Sequence, residues 1–117
     1  MTESQEQQAL FQWANLSIQK YPELKLLFHV PNGGLRNLRT AYILKKEGVK
    51  AGVPDLFLPA PKGNYHGLFI EMKTDVGKTS KEQKLWLSNL EEQGYKALVC
   101  RGWIKAREVI EEYLNLK

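Results

Sequence analysis

The run Phe69-Ile70-Glu71-Met72-Lys73 constrains this chain more than any other stretch. Its apolar residues suit a pleated strand. Side chains two apart on a strand project to the same face, so Glu71 and Lys73 stand together while Met72 turns the other way. A strand apolar enough for a core therefore carries two charges on one side. Buried charge is costly unless it is paired or bound to metal. A fold for this chain must bring partners to Glu71 and Lys73, or leave that face of the strand in water.

A partner is available upstream in Val53-Pro54-Asp55-Leu56. Pro54 suits a strand entry, where a missing amide donor is tolerated. Asp55 to Leu58 reads as a short strand, Pro59 to Asn64 as a connection of turn formers, and Gly67 to Lys73 as the second strand of an antiparallel, hairpin-like pair. If the two strands pair, Asp55 joins Glu71 and Lys73. Two carboxylates and a lysine at one spot form a candidate site for a divalent cation of the Mg²⁺ or Mn²⁺ type, which takes oxygen ligands. A backbone carbonyl near Met72 can add a further ligand. Such an ion lowers the pKa of a bound water, and Lys73 is placed to orient that water or to offset charge on a phosphate in the transition state. On spacing alone a solvated sheet face with a cross-strand charge pair competes with this reading, because antiparallel sheets commonly leave one face wet. Serine or cysteine nucleophile chemistry has little support: His29 and His66 are the only histidines, and neither goes with an elbow-type nucleophile motif.

The remaining segments alternate in type. Thr2 to about Lys20 reads as a helix, with Leu10, Phe11, Ala14 and Ile18 at helical spacing, Thr2 or Ser4 as cap and Pro22 as stop. Leu24 to Val30 reads as a strand ending at the turn cluster Pro31-Asn32-Gly33-Gly34. Leu35 to Glu47 reads as a helix closed by Gly48. Thr79 or Ser80 caps a helix, with Glu82 or Gln83 as capping-box partner and Gly94 as its end. Tyr95 to Cys100 reads as a strand and Ile104 to Leu116 as a final amphipathic helix. The order α-β-α-β-β-α-β-α implies an α/β fold, a small mixed sheet flanked by helices on both faces.

Length and charge narrow the class. The 117 residues are enough for one core, so a single domain over 1–117 is expected. No stretch reaches the ~18 to 20 apolar residues of a membrane span, and the polar, acidic start Met1-Thr2-Glu3-Ser4-Gln5-Glu6 is unlike a secretory signal. The lone Cys100 excludes an internal disulfide and a cysteine metal cage, and fits a reducing cytoplasm as a small buried hydrophobe. A net charge of +4 is compatible with a nucleic-acid partner without requiring one.

Four ordered motifs carry a resemblance. Pro54-Asp55 followed by Glu71-Met72-Lys73 matches the PD-(D/E)xK nuclease signature. His29-Val-Pro-Asn32-Gly33-Gly34-Leu-Arg36, Gly48-Val-Lys-Ala-Gly52-Val-Pro54-Asp55-Leu and Ser80-Lys-Glu-Gln83-Lys-Leu-Trp86-Leu extend it, with Glu6-Gln7 and Leu10-Phe11-Gln-Trp13-Ala14 ahead of them. Over nearly its whole length the chain resembles the stand-alone VRR-NUC (virus-type replication-repair nuclease) domains. The resemblance implies a restriction-endonuclease-like fold and a Mg²⁺- or Mn²⁺-dependent endonuclease acting on DNA, selective for branched or otherwise structured substrates. It further implies a homodimer similar to Holliday-junction resolvases, a helicase or replication and repair partner, no membrane, and a cytoplasmic, bacterial or phage-encoded setting. Carried over residue by residue, Asp55 and Glu71 are metal ligands, Lys73 the catalytic lysine and Gln83 the helix glutamine of the active site. A first-helix glutamate completes the acidic set: Glu3 and Glu6 share a helical face, and Glu6 is preferred because Gln7 follows it. An inactive DNA-binding or assembly module of the same fold, and a nuclease acting on RNA, are the alternatives.

Other polar residues have two readings. Asn32 and Gly33 form a turn, or a loop cradling a DNA phosphate ahead of a helix. Arg36, Arg39 and Lys46 form a solvated face, or a basic stripe contacting phosphates, with Lys50 and Lys62 as weaker candidates. Trp13 and Trp86 are expected in the core, and His29 at a strand end near the substrate.

Overall fold

The computed structural model describes residues 1–31 and 37–117. Helix α1 spans Glu3–Leu16 and begins in a reciprocal capping box. The Thr2 hydroxyl accepts from the Gln5 amide at 3.1 Å, and the Gln5 side chain accepts from the Thr2 amide at 2.8 Å. Regular helix ends at Leu16 rather than near Lys20, with turns at 17–20. Tyr21 precedes a proline and is held out of the helical region, at φ −128° and ψ 85°.

The expected strand from Leu24 to Val30 is the largest departure. Residues Pro22–Leu26 form a 3₁₀ turn, and strand β1 is confined to Phe28–His29. Pro22 at the first helical position is pre-set for a helical turn, and the turn buries Leu24. Helix α2, Leu38–Lys46, lies within its expected span and starts where the Asn37 side chain accepts from the Thr40 amide at 2.7 Å.

The other elements follow closely: β2 Leu56–Leu58, β3 Leu68–Lys73, α3 Lys81–Glu92, β4 Lys96–Arg101 and α4 Trp103–Leu114. The strands form one mixed sheet in the order β1-β2-β3-β4. β1 with β2 and β2 with β3 are antiparallel, whereas β3 and β4 are parallel, with Glu71 opposite Val99 and Lys73 opposite Arg101. A parallel neighbour needs a crossover, and α3 provides it. The arrangement is a four-stranded α/β fold of the restriction-endonuclease-like kind.

Strand period then divides β3 between two environments. Leu68, Ile70 and Met72 are buried in the core with Leu10 and Ala14 of α1 and Ile110 of α4. Within that core the Tyr113 hydroxyl donates to the Ala60 carbonyl at 2.6 Å, and the Cys100 thiol, fully buried, has its pKa pushed up to about 11 by burial. Phe69 faces the other way, stacked on Phe57 at 4.1 Å between centroids, with Tyr95 edge-on. Glu71 and Lys73 continue that second face. No helix among the described residues is long and apolar enough to cross a membrane.

Candidate active site

Asp55 stands one residue before β2 and is held at both ends. Its carbonyl accepts from the Val30 amide at 2.6 Å and lies 2.9 Å from His29 Nδ1, which must carry the hydrogen since a carbonyl can only accept. Its carboxylate Oδ2 accepts from the Met72 amide at 2.8 Å, taking the place a strand carbonyl would hold one step further along the β2–β3 ladder.

Glu71 is 2% exposed, almost unheard of for a carboxylate without partners. Gln83 donates from Nε2 to Glu71 Oε2 at 3.1 Å, and Lys73 Nζ lies 3.5 Å from the same oxygen. The shared face expected of Glu71 and Lys73 is present, and it is not wet. Ser80 of the α3 cap donates its amide to Gln83 Oε1 at 2.8 Å, while its hydroxyl accepts from the Gln83 amide. The side-chain amide of Gln83 is therefore oriented from both ends: its oxygen caps the helix and its nitrogen is turned to Glu71. The capping-box partner of Ser80 and the residue that meets Glu71 are one and the same.

Of the two first-helix glutamates, the structure brings Glu3 to this point. Carboxylate oxygens of Glu3, Asp55 and Glu71 all lie within 4.8 Å of one another. Glu6 is drawn elsewhere, its carboxylate accepting from the Trp103 amide at the start of α4. The structure thus sets Glu3, rather than the preferred Glu6, beside Asp55 and Glu71, while Glu6 in the same first turn faces the start of α4.

The cluster is electrostatically overloaded. Burial pushes the pKa of Glu71 up to about 8, the Asp55 charge adds to this, Lys73 opposes it, and Glu3 raises it further. Glu3 is also raised, by partial burial and then by Asp55, against the pull of Lys73. Near neutrality these carboxylates hold a proton that a cation could replace.

Arg101, which the sequence reading did not single out, and several residues that it did, complete the surroundings. Arg101, opposite Lys73 in the parallel register, donates from Nη1 to the carbonyls of Thr74 at 2.8 Å and Gly77 at 2.7 Å, tying down the loop that follows Lys73. Trp86, expected in the core, is instead half-buried outside it and donates from Nε1 to the Ala51 carbonyl at 3.0 Å, linking α3 to the segment that delivers Asp55. Gly52 in that segment has φ +92°, and a Cβ there would meet the Glu82 backbone carbon at 2.7 Å. A groove of about 430 Å³ between α1 and β1 is lined by Gln7, Gln8, Phe11, Leu27, Phe28 and His29.

The other expected residues are dispersed or not described. Met72 is fully buried with its amide on Asp55. Arg39 and Lys46 are exposed on α2, Lys46 with its ammonium 5.0 Å from the Tyr42 ring centroid, and Lys50 is exposed beyond that helix. Lys62 is instead paired with Glu23 at 2.6 Å. Asn32, Gly33 and Arg36 lie outside the described residues.

Comparison with known proteins agrees with this geometry. The family model of the VRR-NUC domain matches residues 1–103, a span holding Glu3, Asp55, Glu71, Lys73 and Gln83. A solved structure described as a VRR_NUC domain protein is 32% identical and superposes with a TM-score of 0.86 over 99% of this chain and 90% of its own. No curated protein matches. Alike in sequence over most of its length and in backbone over nearly all of it, this chain belongs to the VRR-NUC family and carries that family's nuclease-type function.

Proposed function

We propose that the chain is a divalent-metal-dependent endonuclease that hydrolyses DNA phosphodiester bonds, with a preference for branched or structured substrates such as junctions and flaps. The observation that carries the reading is the convergence of carboxylate oxygens of Glu3, Asp55 and Glu71 within 4.8 Å of one another, with Lys73 Nζ 3.5 Å from Glu71 Oε2. An all-oxygen donor set suits Mg²⁺ or Mn²⁺. The raised pKa of Glu71 supports the fit, since a group held neutral by neighbouring carboxylates gains most from a cation. Glu3, Asp55, Glu71 and the Met72 carbonyl would hold the ion. When bound it supplies Lewis-acid stabilisation of the phosphate and a water acidic enough to act near neutral pH.

The chain's own residues do the rest. Lys73 holds its ammonium beside Glu71, where its free N–H groups orient the attacking water or meet charge building on the phosphoryl oxygens. Gln83 locks the Glu71 carboxylate, and the Met72 amide locks that of Asp55. Arg39, Lys46 and Lys50, with Asn32, Gly33 and Arg36, bind the phosphate backbone without reading sequence. A two-fold dimer presents two sites to the symmetric strands of a four-way junction, and a helicase or repair protein is the expected partner class.

A cleavage panel of flap, fork, four-way junction and linear duplex, each with Mg²⁺, Mn²⁺ and chelator, tests the reading. Metal-dependent cleavage of a branched substrate is expected, with Asp55→Asn and Lys73→Ala at least ~100-fold slower while binding DNA normally. Absence of cleavage under every condition would favour a DNA-binding module, and cleavage of RNA alone an RNA nuclease. Full Mg²⁺-dependent activity in Asp55→Asn would sink the site assignment.

A further inference from the structure

Three consecutive residues at the β4–α4 junction each hold a segment that borders the cluster. Arg101 grips the loop after Lys73, the Gly102 amide donates to the Lys73 carbonyl at 3.0 Å, and the Trp103 amide donates to the Glu6 carboxylate. Only the last contact reaches the first helix, across 97 residues of chain. The junction is built close around it: Gly102 has φ +86°, and a Cβ there would stand 3.1 Å from Glu6 Oε2. A carboxylate accepting from the first amide of a helix is also favoured by the helix dipole.

Glu3 has the opposite situation. It is exposed, at the first position of α1, in the turn where helices fray most readily. The Asp55 charge repels it, with Lys73 opposing. Glu6 lies three residues along, in the same first turn, and is partly buried.

We propose that Glu6 is a positioning residue that sets Glu3 against Asp55 and Glu71 by tying the start of α1 to the Trp103 amide. The inference rests on the reading of Glu3, Asp55 and Glu71 as a metal site. It excludes Glu6 from direct contact with the ion.

The test is Mn²⁺ affinity of the full chain, followed by the electron paramagnetic resonance of free Mn²⁺, alongside Mn²⁺ titrations of cleavage. Glu6→Ala is expected to weaken Mn²⁺ binding ~10-fold, within the range seen when a residue supporting a metal ligand is lost. Its kcat at saturating Mn²⁺ should stay close to wild type. Glu6→Gln keeps an acceptor for the same amide and should restore most of the affinity. Glu3→Ala should weaken binding by itself, and adding Glu6→Ala to it should cost little more, because the second residue acts through the first. Where Glu6→Ala does not fold, Glu6→Asp, one methylene too short, is expected to show the same loss. Wild-type affinity in both Glu6→Ala and Glu6→Asp, or a fully additive loss in the Glu3→Ala background, overturns the proposal alone. Failure of the wild type to bind Mn²⁺ overturns the metal-site reading and this proposal with it.

Discussion

On the proposed reading, Gln83 serves stability and chemistry with one side chain. Its oxygen caps α3 and its nitrogen faces Glu71, so substitution can separate the two. Gln83→Glu keeps an acceptor for the Ser80 amide but sets a fourth carboxylate beside Glu71. We expect it to fold with its helix cap intact and to cleave ~10 to 100-fold more slowly, as losses in the shell around metal ligands do. Circular dichroism and a cleavage assay read the two effects separately, and unchanged cleavage would remove Gln83 from the site. The neighbouring pair is the part most open to reading from sequence, because strand period alone puts Glu71 and Lys73 on one face. The same logic could not choose between Glu3 and Glu6, which share a helical face three residues apart. That choice belongs to how α1 docks.

The segment leading to Asp55 depends on a close approach between elements. Gly52 packs against the first turn of α3 with no room for a Cβ, in a backbone conformation that strains any other residue. Gly52→Ala is expected to destabilise the fold by on the order of 1–3 kcal/mol through strain at positive φ. The clash with Glu82 should add to this and shift Asp55 relative to Gln83, lowering cleavage as well. Thermal melts and cleavage rates check both, and a melt matching wild type would show that the loop has slack. The same dependence on neighbours explains the failed strand at Leu24 to Val30. Its composition suits a strand, but Pro22 starts a helical turn that buries Leu24, leaving Phe28 and His29 alone to pair with β2.

Across the molecule, the crowded carboxylates link stability to pH and, on the proposed reading, to metal. Glu71 has its pKa raised from an ordinary 4.5 to about 8, so the metal-free fold keeps a proton that the unfolded chain releases. That contribution is complete below the unfolded value and is lost as pH rises through the folded one. Without metal, the melting temperature should therefore fall between pH 5 and pH 8. Saturating Mg²⁺ binds the deprotonated fold and should raise it most at the alkaline end. Scanning calorimetry with chelator and with Mg²⁺ reads both curves, and a metal-free melting temperature rising over this range would contradict the buried cluster. The proposed dimer is expected in sedimentation at micromolar concentration, and monomer alone with and without junction DNA would count against it.

Local rules determined much of this protein. Cap residues bracketed two helix starts, at Thr2 or Ser4 and at Thr79 or Ser80, strand period paired Glu71 with Lys73, and turn formers marked the hairpin that brings Asp55 beside them. These follow from contacts within a few residues, where hydrogen-bond geometry leaves little choice. Tertiary structure decided the rest: the parallel register setting Arg101 against Lys73, the burial of Glu71, and the assignment of Glu3 to the cluster and Glu6 to Trp103. Each joins groups far apart in the chain, and which of two equivalent side chains meets a distant partner depends on how whole elements pack.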